Sequence, residues 1–310
     1  FLAGQVGAGA DPSAGKCASR LQEEFSVKIL VLGVSGMLGN AMFRTLSEAG
    51  ELEVWGTVRS PGARSSFDDV LASRLLPGVD VENADAISDV LNRIRPDVVV
   101  NCIGLVKQFA EAGDPLLALP INAMLPHRLA RLCSLLGARL IHISTDCVFN
   151  GKRGAYTESD VSDAEDLYGK SKYIGEVDYP HAVTLRTSII GHELASHHGL
   201  VEWFLAQEGR VNGYTRVRFS GLPTVELSRI VRDFVLPREA LRGVYHVASA
   251  PIAKYDLLKL VARVYKKKIE IVPDDSIAID RTLVADRFRE ATGYTAPHWE
   301  DLVLMMKNFG

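Results

Sequence analysis

Val27-Lys28-Ile29-Leu30-Val31-Leu32-Gly33-Val34-Ser35-Gly36-Met37-Leu38-Gly39 is an apolar, β-branched run closed by a GxxGxxG turn and followed by residues of helical period. A strand that enters a helix through three spaced glycines can turn tightly, bring its backbone close to a ligand and aim the helix's first amides at negative charge. The glycine pattern alone is a weak signal and fits an ordinary turn as well. Its place between a strand and an amphipathic helix is what points to a dinucleotide's pyrophosphate.

Outward from this turn, short β-branched runs alternate with helix-period segments, the pattern of a parallel sheet covered by helices on both faces. Leu52 to Val58, Asp97 to Asn101, Leu140 to Ile143 and Val183 to Arg186 read as further strands. The helix after Gly36 is expected to end at Gly50, a residue suited to the left-handed cap position. Leu125, Leu129, Leu132, Cys133 and Leu136 recur at helical spacing up to Gly137. The expected fold is therefore α/β, a Rossmann-type doubly wound parallel sheet with a smaller C-terminal substrate-binding lobe. Residues 27–190 would form the NAD(P)-binding domain, with 222–250 returning to it, and residues 191–221 and 251–310 the lobe. Beyond Gly191 the pattern loosens, with a helix near Leu200 to Gln207 and a Gly/Arg-rich stretch to Gly221. Residues 1–26, rich in Gly, Ala and Ser and lacking a proper apolar h-region, read as a disordered leader or an added extension.

A chain of 310 residues, 47% hydrophobic and 24% charged, can bury a sizeable core. Its net charge of −3 offers no basic field for nucleic acid. The Lys266-Lys267-Lys268 run reads as solvated cations at a helix end. Cys17, Cys102, Cys133 and Cys147 contain no CxxC pair, so neither a zinc site nor a disulfide framework is indicated, and reduced thiols fit a cytoplasmic setting. No apolar run is long enough to suggest a membrane span. His197-His198 has no third ligand at suitable spacing, so it reads as a polar loop and no metal is expected.

In dinucleotide folds an acid about 20 positions beyond the glycines holds the NAD ribose, whereas an arginine there accommodates the extra phosphate of NADP. That count lands on Arg59, followed by Ser60, while Glu53 lies at the start of its strand. NADPH is therefore preferred, with NADH the alternative, and a solvated strand-end arginine the plain reading of Arg59. Asp80 is placed to accept from the adenine amino group and Val81 to pack the ring. Cys102, Ile103 and Gly104 follow Asn101 at a sheet edge where doubly wound folds bind ligands. Either segment also reads as a simple strand terminus.

Reducing a ketone requires a hydride on carbon and a proton on oxygen, so a weak acid must lie within hydrogen-bond reach of that oxygen. Tyr168 and Lys172 in Tyr168-Gly169-Lys170-Ser171-Lys172 share a helix face, where the ammonium is expected to lower the phenol's pKa and to reach the nicotinamide ribose. Thr145, in Ser144-Thr145-Asp146 at a strand end, offers a hydroxyl to the substrate oxygen, with Ser144 the runner-up. A lone YxxxK is common by chance. Joined to the glycine turn and the strand-end hydroxyl, it becomes a reductase's parts list.

With these residues in view, the chain resembles an extended short-chain dehydrogenase/reductase and, more narrowly, the dTDP-4-dehydrorhamnose reductase group. Besides the glycines, the matching residues are Asn101, Asn122-Ala123, Ser144-Thr145-Asp146 with Val148-Phe149 and Gly151, Tyr168-Gly169, Lys172, Gly175-Glu176, Arg186-Thr187-Ser188, and Gly221 with Pro223-Thr224. The likeness runs from about residue 27 to 305. It implies an NADPH-dependent reductase of a 4-keto-6-deoxy sugar nucleotide, with Thr145, Tyr168 and Lys172 catalytic, Thr145 and Asp146 facing the sugar, and Ser35 to Leu38 on the pyrophosphate. The group usually has an aromatic residue where this chain has Cys147, and often Trp where it has Ile189, both at the sugar pocket. Trp203, Tyr214 and Arg216 or Arg218 fall where such enzymes hold the nucleotide half of the substrate, and a surface loop explains them equally. Asp280-Arg281 resembles a late family segment of no legible role. The resemblance leaves room for a homodimer and for two other functions. One is an epimerase or dehydratase, although Thr145-Asp146-Cys147 lacks the Glu of dehydratases. The other is a regulatory subunit that binds NADP without turnover.

Overall fold

Ile29 to Leu32 are buried along their whole length, with Ile29 and Val31 in one apolar cluster and Leu30 and Leu32 in another. A strand lined on both faces by apolar neighbours belongs in the middle of a covered parallel sheet. The computed structural model describes residues 26–107, 110–194 and 199–310. In it the chain lays down β1 (Val27–Leu32), β2 (Leu52–Val58), β3 (Leu75–Pro77), β4 (Val98–Asn101), β5 (Arg139–Thr145) and β6 (Ala182–Thr187). It then leaves for β7 (Ile189–Ile190), β8 (Arg210–Phe219) and β9 (Leu222–Pro223), returns with β10 (Gly243–His246), and passes through β11 (Ile252–Ala253) and β12 (Glu270–Asp280).

Seven strands form one sheet in the order β10-β6-β5-β4-β1-β2-β3, every neighbouring pair parallel. Helices cover both faces, so the fold is a Rossmann-like α/β sheet. The strand order reverses between β1 and β4, which opens a crevice at the carboxyl ends of those strands. A second sheet, β11-β8-β12, packs under the helix Lys254–Tyr265 and shares a core of Val211, Phe219, Leu257 and Val261 with Val201 and Phe204.

Some local expectations are corrected. The helix Met37–Ser47 stops short of Gly50, because the Glu48 and Ala49 amides already bond to the Arg44 and Leu46 carbonyls, and Gly50 stays out of the left-handed region. Gly137, by contrast, takes the left-handed cap, with φ at 69°. The Gly/Arg-rich stretch before Gly221 is the strand β8, whose Val211, Gly213, Val217 and Phe219 are buried in alternation with exposed neighbours. Lys267 is not a freely solvated cation, since its ammonium donates to the Leu205 carbonyl at 2.6 Å. The leader up to Phe25, with Cys17, and the His197-His198 pair lie outside the described residues. Among the described residues, no helix is long and apolar enough to cross a membrane.

Candidate active site

At Gly33 and Gly39 the glycine turn is built so that a side chain would not fit. Gly33 has φ at +85°, and a Cβ on Gly39 would stand 2.0 Å from the Gly33 carbonyl oxygen. The Gly36 amide donates to that same carbonyl at 3.0 Å, closing the turn. Gly36 then caps the helix Met37–Ser47 without any side-chain hydrogen bond, so the helix's first amides are left for a ligand. This cradle fits a pyrophosphate. Substituting Gly39→Ala is expected to push the turn open and weaken NADPH binding at least about tenfold, about 1.4 kcal/mol. A fluorescence titration giving unchanged affinity would show that the turn is not the cradle.

Ser35, Gly36, Met37 and Leu38 line a cleft of about 770 Å³. Cys102, Ile103 and Gly104 reach it from the end of β4, Thr145 and Asp146 from the end of β5, Tyr168 and Lys172 from the helix Leu167–Ile174, and Ile189 from β7. Gly33 and Gly39 shape the turn from behind. Arg59 and Ser60 are exposed just beyond β2, outside the cleft lining. Asp80 is exposed and accepts from the Glu82 amide at 3.0 Å, closing a turn, while Val81 packs half-buried on the apolar cluster. Trp203 lies 39% exposed on the helix Leu200–Ala206, and neither it nor Tyr214 or Arg216 lines the cleft, whereas Arg218 does.

Asp166 accepts from the Gly169 amide and so starts the helix that carries Tyr168 and Lys172. Thr145 Oγ1 accepts from the Cys147 amide at 3.1 Å and donates to Asp146 Oδ1 at 3.2 Å. The expected lowering of the Tyr168 phenol by Lys172 is not what the structure gives. Burial, together with the neighbouring Cys147, pushes the phenol above its ordinary range, and the hydrogen bond with Thr145 is what opposes the rise. The Lys172 ammonium, 5% exposed, instead donates to the Ile143 carbonyl at 2.9 Å, and burial draws its pKa down to about 8 against the pull of Glu176. A phenol raised in this way keeps its proton at neutral pH, the state an acid needs.

Behind the site, Arg186 makes two 2.7 Å hydrogen bonds to the Glu176 carboxylate, with side chains only 4% and 5% exposed. Ser144 Oγ donates to Glu176 Oε1 at 2.7 Å, so its hydroxyl is turned to this pair. His246 Nε2 lies 3.2 Å from Arg186 Nη1, and burial plus that guanidinium bring the imidazole down to about 3. A neutral imidazole can then accept from the arginine.

Two asparagines, known from the sequence only as matches, fix the loop after β4. Asn101 Oδ1 accepts from the Ile103 amide, so its Nδ2 faces His142 Nδ1 at 3.1 Å. Asn122 bonds both backbone groups of Leu105 and also Ser171 Oγ, tying that loop to the helix of Tyr168. Lys254 and Arg281 carry no role legible in the sequence, yet both line the cleft. Arg281 donates through Nε to the Phe149 carbonyl and opposes the burial that raises Asp146. Their signal lay in the unread pairing of β8 with β11 and β12.

The profile of the family described as RmlD substrate binding domain matches residues 27–300. The chain is 28% identical over 165 residues to methionine adenosyltransferase 2 subunit beta of Mus musculus, a match covering 52% of this chain and 46% of that protein, so it spans about half of that relative's length. It is 25% identical over 260 residues to dTDP-4-dehydrorhamnose reductase of Aggregatibacter actinomycetemcomitans, covering 79% of this chain and 82% of the other. Among solved structures, dTDP-4-dehydrorhamnose reductase of Bacillus anthracis in complex with NADP matches with a TM-score of 0.74 at 21% identity, over 92% of this chain and 100% of that one. At that identity the likeness is one of fold.

Proposed function

The chain belongs to the RmlD substrate-binding domain family, and from that premise we propose that it is an NADPH-dependent reductase of a 4-keto-6-deoxy sugar nucleotide. The observation that carries this reading is the meeting, in one cleft, of a glycine turn held by Gly33 and Gly39, where a side chain does not fit, and a proton-holding phenol bonded to a strand-end hydroxyl. Bound NADPH supplies the hydride for the keto carbon. Thr145 holds the keto oxygen by its hydroxyl, and Tyr168 gives that oxygen its phenolic proton. Lys172 lies one helical turn away and stabilises the phenolate that remains until solvent returns a proton.

NADPH is favoured over NADH because Glu53 is already engaged at the start of β2, accepting from Trp55 Nε1 at 2.7 Å, while Arg59 is exposed at its end. The Bacillus anthracis relative was solved with NADP. In this reading residues 27–190 with 222–250 hold the dinucleotide, and residues 191–221 with 251–310 hold the sugar nucleotide. A second reading, a non-catalytic NADP-binding subunit, is favoured by the likeness to a protein named as a subunit of methionine adenosyltransferase.

The test is NADPH oxidation against a panel of keto-sugar nucleotides. Oxidation with a 4-keto-6-deoxy member supports the reductase, whereas NADPH binding without oxidation by any member supports the subunit. The pH profile should carry a mark of Lys172. Its ammonium is intact below about 8 and discharges above, so kcat/KM is expected to fall as pH rises through that value, approaching about tenfold per pH unit. Lys172→Arg keeps the charge and should remove this limb. A limb unchanged in that variant would assign it to another group.

A further inference from the structure

A second, smaller cavity of about 180 Å³ lies beside the glycine turn. The helix Met37–Ser47 supplies Asn40 and Arg44 to it, the start of the helix Thr224–Ile230 supplies Val225, and the helix Trp299–Phe309 supplies Met306 and Phe309. Met37, Glu193 and Leu194 line both this cavity and the cleft. No step of the proposed reduction uses it.

Its walls are already held in place. Arg44 donates through Nη2 to the Phe309 carbonyl at 3.2 Å and lies 4.2 Å over the Phe309 ring. His192, also in the lining, has Nδ1 at 2.5 Å from Glu202 Oε1 and Nε2 at 2.8 Å from the Tyr265 hydroxyl, which ties the loop after β7 to the helices Leu200–Ala206 and Lys254–Tyr265. Glu193 accepts from the Gly199 amide at 2.8 Å. Ordered walls leave an occupant little to organise. Asn40 is the exception among these polar groups. It is 6% exposed, yet its Nδ2 makes no hydrogen bond among the described residues. A buried donor left unpaired costs stability, and an acceptor brought by a ligand removes that cost. Arg44 stands one helical turn along from Asn40, so a second donor lines the cavity on the same helix. Most of the remaining wall, from Met37, Leu194, Val225, Met306 and Phe309, is apolar.

We propose that this cavity binds a single-ring molecule carrying an acceptor oxygen, with the Asn40 amide as the group that recognises that oxygen. The size agrees with one ring, since an apolar cavity of about 150 Å³ takes up benzene. The acceptor has two chemical sources, a neutral carboxamide or a carboxylate, and Arg44 favours the second. The site is independent of the reductase reading, because its recognition groups Asn40 and Arg44 lie outside the lining of the cleft.

Methyl carbon NMR of the full chain with labelled methionines tests it, by titration with benzamide, benzoate and toluene in the presence of excess NADPH, which keeps the probes out of the cleft. Met306 lines this cavity and not the cleft, so its methyl signal should move saturably, while those of Met42 and Met124, which line neither, should stay in place. Tighter binding of benzoate assigns the carboxylate, and tighter binding of benzamide the carboxamide. Asn40→Leu removes the unpaired donor, so the variant should melt no lower than the parent. It should bind the preferred oxygen-bearing probe at least about tenfold more weakly and toluene no more weakly, which shows that the cavity is still open. A Met306 signal unmoved by either oxygen-bearing probe would overturn the site, and equal affinities of parent and variant for both would overturn the role of Asn40. Should NADPH fail to bind, the reductase reading falls, while Met306 still reports on this cavity.

Discussion

Tyr168→Phe is expected to lower turnover by about 10²–10⁴-fold while leaving NADPH affinity within about twofold of the parent. The substitution removes one oxygen and little volume from a half-buried side chain, so the helix Leu167–Ile174 and its Asp166 cap should persist. What disappears is the proton on the phenol that hydrogen-bonds with Thr145 at the cleft. With no acid beside it, the developing alkoxide would draw its proton from water. Stopped-flow and steady-state NADPH oxidation read the effect directly. Retention of more than about a third of the parent's turnover would remove Tyr168 as the acid and direct attention to Asp146, whose pKa burial also raises.

Glu176→Ala is expected to cost about 3–5 kcal/mol of folding stability, because it leaves the buried Arg186 guanidinium without its carboxylate. Ser144 would lose its acceptor at the same time. Urea denaturation checks the figure, and a loss below about 1 kcal/mol would mean that water replaces the carboxylate at little cost. The same residue also links to chemistry. Glu176 is the group that holds the Lys172 ammonium up against burial, so in the milder Glu176→Gln variant the alkaline limb of activity should move below pH 8. A limb that stayed in place would show that Glu176 acts on the fold alone.

Much of the cleft's glycine-turn side was legible from the sequence as structure because its signals are local. The glycines 33, 36 and 39, the apolar run of β1 and the four-residue spacing of Tyr168 and Lys172 each declare themselves within a turn or two of chain. The sense of the Tyr168 shift was not legible, since spacing gives proximity along a helix but not the burial that outweighs a neighbouring charge. Nor was the partner of Lys172, a carbonyl on β5 that only tertiary packing brings to it. The far side of the cleft was least legible. In β8 the alternation is interrupted by Gly213, Tyr214 and Thr215, and Gly213 is there because a Cβ would stand 2.7 Å from the Tyr255 ring. Without β8 the register that gathers Arg218, Lys254 and Arg281 cannot be drawn, and their common location stays hidden.

The return of the chain as β10 has an architectural consequence. Because β10 lies against β6, the excursion through β7, β8 and β9 is stitched to the same sheet at both ends. A fragment cut after Thr187 would therefore not be a finished half. It would bare the backbone groups of β6 as a raw, sticky border, so evolution can remodel the excursion between these two seams far more readily than it can trim it away.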